Sequence, residues 1–106
     1  MIRFTVFRKD DSYTGFLCEG HADYSDEGMD IVCAAVSALS VNMVNSVERL
    51  TDDLFSVEEK EEGGWLKLTF PGPVSDASRL LMDSLVLGIQ SISETYGVDF
   101  VKVQFS

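Results

Sequence analysis

The first helix of the protein is predicted by residues 30–50, DIVCAAVSALSVNMVNSVERL, and this helix decides the fold class. Asp30 precedes a long run of alanine, valine, leucine and methionine. Aspartate is a preferred N-cap because its carboxylate accepts hydrogen bonds from the free N–H groups of the first turn. We therefore predict a helix from Ile31 to about Leu50. Its first half is apolar or small on nearly every side, which is typical of a helix buried on most of its faces.

The residues before this helix predict a β-hairpin and a polar loop. Apolar and polar residues alternate from Met1 to Arg8, which indicates a half-buried strand. Lys9 to Ser12 has the composition of a turn. Tyr13 to Gly20 predicts a second strand that completes the hairpin. The segment from His21 to Met29 is polar and contains a glycine, which predicts a loop.

The residues after the helix predict a second hairpin, a second helix and a last strand. The hairpin comprises two strands, Leu54 to Lys60 and Trp65 to Phe70. The Gly63-Gly64 pair between them suits positive φ angles. Ser75 to Tyr96 carries apolar residues at helical spacing, and the glycine after it suits a C-terminal cap. Val98 to Phe105 predicts the last strand.

These elements follow the order ββαββαβ, so we predict an α+β protein that forms a single compact domain over residues 1–106. Hairpins imply a mostly antiparallel sheet, and two amphipathic helices need a sheet face to cover. The second helix connects the strand that ends at Phe70 to the last strand, which permits a parallel pair. The sequence does not give the order of the strands in the sheet.

The charge of the chain excludes some partners. Eight basic and eighteen acidic residues give a net charge of −10. Nucleic-acid binders need a positive surface, and anionic membranes attract one, so we expect neither partner. A basic protein or peptide is the natural electrostatic complement.

The sequence predicts a cytoplasmic protein. No uninterrupted run of about 18 apolar residues is present, so no membrane span is expected. Charges begin at Arg3, and the first residues lack the features of a signal peptide. Two cysteines, Cys18 and Cys33, are too few for a disulfide scaffold.

His21, the only histidine, and Cys33 are the residues best suited to catalysis. Cys33 is the third residue of the predicted helix, beside unpaired N–H groups and the positive end of the helix dipole, and both favour a thiolate. The loop between the two residues can fold the imidazole back toward the helix start. A nucleophile, a general base and backbone donors for an oxyanion would then converge.

Carboxylates of the loop oppose formation of this thiolate. The region is made negative by four acidic residues: Asp23, Asp26, Glu27 and Asp30. This negative charge disfavours a thiolate at Cys33 and favours a charged imidazole at His21. The helix dipole contributes only about 0.3–1 kcal/mol at an exposed site, so the thiolate requires the imidazolium as its partner. We therefore expect a basic substrate to neutralise the loop and permit thiolate formation, with Asp23, Asp26 and Glu27 as substrate-binding residues.

Other interpretations of the cysteines remain open. A cysteine in an apolar helix is usually a small buried hydrophobe. Cys18, His21, Cys33 and Asp23 could hold zinc, although their spacing matches no strong zinc pattern. A disulfide between the two cysteines would be unusual in the cytosol. We expect no metal and no cofactor.

One stretch of the chain resembles the signature of the ribosomal-processing cysteine proteases called Prp. This stretch is residues 20–39, GHADYSDEGMDIVCAAVSAL. The shared features are a Gly-His pair, a variable loop and then Asp-Ile-Val-Cys-Ala-Ala-Val-Ser at fixed offsets. The length and the element order of the whole chain also resemble the family.

The resemblance implies a homodimeric cysteine endopeptidase that removes a short N-terminal extension from a large-subunit ribosomal protein. It implies that Cys33 is the nucleophile and His21 the general base. Supporting residues lie at three further motif positions: Gly20, Asp30 and Ser37. The loop from Ala22 to Met29 resembles a mobile segment of the family.

Two functions follow from these observations. The leading hypothesis is an endopeptidase that works through a Cys-His dyad and an acyl-enzyme. The alternative is a non-enzymatic acidic module that binds basic ribosomal protein tails, and this module would need neither His21 nor Cys33.

Overall fold

The computed structural model contains five strands and two helices in the predicted order ββαββαβ. The structure describes residues 1–20, 29–60 and 64–106. The strands are β1 (Ile2–Lys9), β2 (Ser12–Glu19), β3 (Ser56–Glu59), β4 (Trp65–Thr69) and β5 (Val101–Phe105). The helices are α1 (Met29–Leu50) and α2 (Asp76–Tyr96). The predicted α+β class is confirmed.

The five strands form one sheet in the order β3-β4-β2-β1-β5. Strand β2 pairs antiparallel with β1 and with β4, and β3 pairs antiparallel with β4. Only the β1–β5 pair among the described strands is parallel. Strands β4 and β5 run in the same direction, but β2 and β1 lie between them, so they do not pair. The sheet is mostly antiparallel, as predicted.

The turn of the first hairpin is tighter than predicted. Lys9 pairs with Ser12, so only Asp10 and Asp11 connect the two strands. Their φ angles are 51° and 63°, and a two-residue hairpin turn of this hand requires positive φ at both positions. Aspartate tolerates this conformation better than most residues.

Gly15 allows the two hairpins to pair closely. Its φ is 151°, and a Cβ atom at this position would collide with the carbonyl oxygen of Leu68 on β4. A side chain is therefore incompatible with the approach of the strands at this point.

One hydrophobic core lies between the sheet and the two helices. The sheet contributes Ile2, Phe4, Val6, Phe16, Leu68 and Val101 to it. The helices contribute Val32, Val36, Met43, Val47, Met82, Leu85 and Ile89. The rings of Phe4 and Phe16 stack with their centroids 5.3 Å apart. Burial of these side chains is the main stabilising contribution to the fold.

Helix α1 begins at Met29, two residues before the predicted start at Ile31. Asp30 is therefore the second helical residue, and its predicted position as N-cap is wrong. Met29 likewise belongs to the helix rather than to the predicted loop. Aspartate is favoured both at the N-cap and in the first turn, where the helix dipole stabilises its charge, so residue type alone does not separate these positions.

Helix α1 is a core helix of this domain. Among the described residues, Ile31–Leu50 is the one helical stretch whose length and composition would allow it to cross a membrane. Val32, Val36, Met43 and Val47 on this helix are buried in the core. Their burial accounts for the apolar composition.

Helix α2 is capped at both ends: the C-terminal cap at Gly97 is the predicted one, whereas Ser75, predicted as the first helical residue, is the N-cap. The hydroxyl oxygen of Ser75 accepts a hydrogen bond from the backbone N–H of Ser78 at 3.2 Å. Asp53 accepts from both the N–H and the hydroxyl of Ser75, at 3.0 and 2.7 Å. At the other end, Gly97 has a φ of 109° and its N–H donates to the carbonyl oxygen of Ser93 at 2.8 Å.

Two strands are shorter than predicted. Strand β3 begins at Ser56 rather than Leu54, because the first residue pair with β4 is Ser56 with Thr69. Strand β5 begins at Val101 rather than Val98. The residues between Gly97 and β5 form a turn in which the N–H groups of Phe100 and Val101 donate to the carbonyl oxygen of Gly97.

Candidate active site

A cavity of about 300 Å³ lies between α1 and the adjoining ends of β2 and β4, and Cys33 lines it. The helix wall also includes Ser37, Ser40 and Val41. These residues follow Cys33 by four, seven and eight positions, which places all of them on one face of the helix. From Cys33 to Val41 the wall is about 12 Å long, because a helix rises about 1.5 Å per residue. Ser37 and Val41 are exposed, so the cavity reaches the surface.

The sheet wall of the cavity includes Cys18, Leu66 and Trp65. Cys18 and Leu66 are register partners and face the helices. Burial raises the pKa of the Cys18 thiol from its ordinary value of 9.0 to about 11. Cys18 is therefore a neutral thiol at physiological pH.

Two glycines hold the backbone where β2 ends at the cavity. Gly20 has a φ of 105°, and a Cβ atom there would collide with the carbonyl oxygen of Met1. The N–H of Gly20 donates to the carbonyl oxygen of Gly64 at 2.9 Å, and Gly64 has the predicted positive φ, 70°. Both glycines line the cavity. The backbone therefore leaves β2 beside the cavity, one residue before His21.

The rim at the second hairpin carries one acidic and one basic residue. Glu59 and Lys60 line the cavity at the end of β3. The ammonium group of Lys60 lies 4.9 Å from the centroid of the Trp65 ring, a cation–π contact that holds the indole at the rim.

Three of the residues singled out from the sequence meet at this cavity: Gly20, Cys33 and Ser37. Asp30 lies three residues before Cys33, in the first turn of α1. His21, Asp23, Asp26 and Glu27 lie outside the described residues, as do residues 22–28 of the predicted mobile loop. The roles of all these side chains stay predictions.

The earlier start of α1 changes the surroundings of Cys33. Cys33 is the fifth helical residue rather than the third. In an α-helix the N–H of the fifth residue donates to the carbonyl oxygen of the first, and only the first four N–H groups are free. Candidate oxyanion donors at the helix start therefore lie in the turn before Cys33.

The metal and disulfide interpretations gain no support from the described residues. Within residues 1–20, 29–60 and 64–106, no three of the histidine, cysteine, aspartate and glutamate side chains are placed to bind a metal ion. Two of the four proposed ligands, His21 and Asp23, lie outside these ranges. Cys18 and Cys33 are both free thiols.

Three residues of the cavity lining were not predicted from the sequence: Val41, Lys60 and Trp65. Lys60 and Trp65 reach the cavity because β4 pairs with β2, and that pairing joins residues far apart in the chain. Val41 offered a local signal, since it lies eight residues after Cys33 on the same helix face.

Comparison with known proteins identifies close relatives. The family model described as cysteine protease Prp matches residues 1–101. The ribosomal processing cysteine protease Prp of Bacillus subtilis (strain 168) is 30% identical over 101 residues, which cover 91% of this chain and 90% of the relative. The protein of the same name from Staphylococcus aureus (strain Mu50 / ATCC 700699) is 30% identical over 83 residues, or 78% of each chain.

The fold is also shared with a solved structure. This is the crystal structure of an essential ribosomal processing protease Prp from S. aureus in complex with a covalently linked product peptide. The two structures superpose with a TM-score of 0.90, with 26% sequence identity and 100% of both chains covered.

Proposed function

This chain belongs to the cysteine protease Prp family and is a cysteine protease, and we propose that it removes a basic N-terminal extension from a large-subunit ribosomal protein. The observation that carries the proposal is the position of Cys33 in a surface cavity together with Gly20, the residue before the only histidine. Relatives named for ribosomal processing support the substrate. Membership of a protease family argues against the non-enzymatic acidic module.

The proposed chemistry uses Cys33 as the nucleophile and His21 as the general base. The imidazole accepts the thiol proton, and the thiolate sulfur attacks the scissile carbonyl carbon. When the carbon–nitrogen bond breaks, the imidazolium returns the proton to the leaving amine. A thioester to Cys33 remains, and water activated by the same imidazole hydrolyses it. Gly20 supports this arrangement because its conformation directs the chain beside the cavity.

Two further motif residues have supporting roles in the proposal. Asp30, in the first turn of α1, stabilises the helix start that carries Cys33 and orients His21. The exposed Ser37 lies one helical turn after Cys33 and lines the cavity, where its hydroxyl is available to a bound peptide.

Charge supports a basic substrate. The chain carries a net charge of −10, and basic peptides are attracted to such a surface. We assign Asp23, Asp26 and Glu27 to binding of the basic side chains, since they lie between the proposed base and nucleophile in the sequence.

The proposal includes a cytoplasmic homodimer. Leu80 and Leu87 on α2 are 69% and 67% exposed and lie two helical turns apart on one face. An exposed apolar face of this kind suits contact with a second copy. The low cysteine content suits the cytoplasm.

Intact-mass analysis of an extended ribosomal protein after incubation with the enzyme tests this function. We expect two products whose masses sum to that of the substrate plus one water. A substrate whose extension has glutamine in place of lysine and arginine is the matched control, and we expect slower cleavage of it. Failure of the folded enzyme to cleave the extended protein would contradict the proposal.

A further inference from the structure

The two cysteines mark different parts of the cavity. Cys33 lies near the start of α1, whereas Cys18 lies on β2 in the sheet wall, and Ser40 of α1 is among the groups that act on its thiol. Ser40 follows Cys33 by seven residues, which corresponds to about 10 Å along the helix axis. Ser40 is only 1% exposed, so this part of the cavity is its inner end.

The inner end is apolar and uncharged. The hydroxyl of Ser40 donates to the carbonyl oxygen of Val36 at 2.8 Å, so its proton is already used. Cys18 is neutral, and the neighbouring Ile2 and Val36 are buried hydrophobic residues. The charged lining residues, Glu59 and Lys60, belong to the exposed end of β3. An apolar side chain would therefore enter the inner end without leaving a buried charge or donor unpaired.

The small side chain at position 18 creates this space. Cys18 lies between Phe4 on β1 and Leu66 on β4, and all three face the helices. Both neighbours are large hydrophobic residues, so the cysteine is a gap in the row of side chains that packs under α1. A branched residue in its place would occupy space that now belongs to the cavity.

We propose that Cys18 is a specificity-determining residue: it sets the depth of the cavity beside Cys33 and so limits the size of the apolar substrate side chain accepted next to the scissile bond. This inference rests on the proposed function, in which Cys33 is the nucleophile. Cys18 takes no part in the chemical step.

Labelling of Cys33 with two thiosulfonates of different size tests the inference without any cleavage. The reagents are benzyl and methyl methanethiosulfonate, which leave a large or a small group on the sulfur. The Cys18→Ser variant keeps the volume at this position, and the Cys18→Leu variant fills it. Both variants retain Cys33 as their only cysteine, so each rate reports on one site.

We expect the ratio of benzyl to methyl labelling rates to be about tenfold higher in Cys18→Ser than in Cys18→Leu, because the ring is buried in the cavity. Cys18→Val, a smaller increase in volume, gives an intermediate ratio and serves if Cys18→Leu does not fold. Leu17→Phe in the Cys18→Ser background is the matched control, because residue 17 faces the other side of the sheet, and we expect no change in the ratio. Equal ratios in the Ser, Val and Leu variants would overturn the inference.

A peptide series separates this inference from the proposed function. Peptides with alanine, leucine or phenylalanine before the scissile bond are offered to the wild type and to Cys18→Leu. A shift of kcat/KM toward alanine in the variant supports the inference. If the wild type cleaves no peptide, the proposed function fails, and the labelling ratio alone decides whether Cys18 controls the cavity.

Discussion

The N–H of Gly20 donates a 2.9 Å hydrogen bond to the carbonyl oxygen of Gly64, and this bond joins the end of β2 to the second hairpin at the rim of the cavity. Gly20 also passes too close to the Met1 carbonyl oxygen to carry a side chain. The segment that carries His21 therefore begins from a backbone position fixed on two sides. Cys33 lines the same cavity from α1.

Replacement of Gly20 by alanine should damage both stability and activity. The Cβ atom would collide with the Met1 carbonyl oxygen, and the φ of 105° is strained for any residue with a side chain. We expect Gly20→Ala to lower the free energy of unfolding by about 1–3 kcal/mol and to reduce the cleavage rate. Gly72→Ala is the control, because a Cβ there meets no atom within 4 Å. Chemical denaturation checks both variants, and equal stabilities would contradict the explanation.

The partly buried thiol of Cys18 predicts a loss of stability in alkali. Its pKa is raised from the ordinary 9.0 to about 11, so between these values the folded protein holds the thiol proton and the unfolded chain releases it. The contribution of the Cys18 thiol to the free energy of unfolding is complete below about pH 9. It falls by roughly 3 kcal/mol as the pH rises toward about 11. Cys18→Ser should lack this part of the decrease.

Denaturation of the wild type and of Cys18→Ser on both sides of this pH window measures the effect. The pKa of Tyr13 is also raised, by burial and by its hydrogen bond to Asp83, and this group is common to both proteins. The difference between the two curves therefore isolates Cys18. Parallel curves would show that the thiol titrates normally in the folded state.

Neutralisation of the loop carboxylates should weaken substrate binding. We expect the triple variant Asp23→Asn, Asp26→Asn, Glu27→Gln to raise KM for a basic peptide about three- to tenfold, with kcat changed less. The effect should shrink as salt is added, because exposed charges are screened. Steady-state kinetics at low and high salt measures it.

The matched control neutralises three acidic residues on exposed parts of the described surface: Glu48→Gln, Asp52→Asn and Asp99→Asn. If net charge alone attracts the substrate, the control raises KM as much as the loop variant does, and assignment of substrate binding to the loop is then wrong.

A bound basic peptide should also make Cys33 more reactive. The loop carboxylates disfavour a thiolate, and a basic ligand offsets their charge. We expect the pH profile of Cys33 alkylation to shift to lower pH when an uncleavable basic peptide is bound. The rate of iodoacetamide labelling in Cys18→Ser measures this, with a neutral peptide of the same length as control. If the basic peptide leaves the pH profile of Cys33 alkylation unchanged, the loop carboxylates do not control the reactivity of Cys33.

Local patterns in the sequence predicted most of the fold. The order of the elements and the cap glycine after α2 depend on residues close together in the chain, and these predictions are confirmed. The start of α1 was misplaced because Asp30 suits the first turn as well as the N-cap. The partner of β5 required knowledge of the strand order, which hairpin patterns do not contain.

The candidate site was predictable only in part. The sequence motif predicted Gly20, Cys33 and Ser37 as site residues, and all three line one cavity. The rest of the cavity depends on the pairing of β2 with β4, which brings Trp65 beside α1. Cys18 became informative only once its large neighbours in the sheet were known.

Whether Cys33 is the nucleophile is decided by cleavage of the extended ribosomal protein with the Cys33→Ser variant, measured beside Cys18→Ser. Each variant replaces one sulfur by oxygen in the same cavity, and the two differ only in which thiol is removed. We expect Cys33→Ser to be folded and inactive, whereas Cys18→Ser retains cleavage. Cleavage at the wild-type rate by Cys33→Ser would show that Cys33 is not the nucleophile.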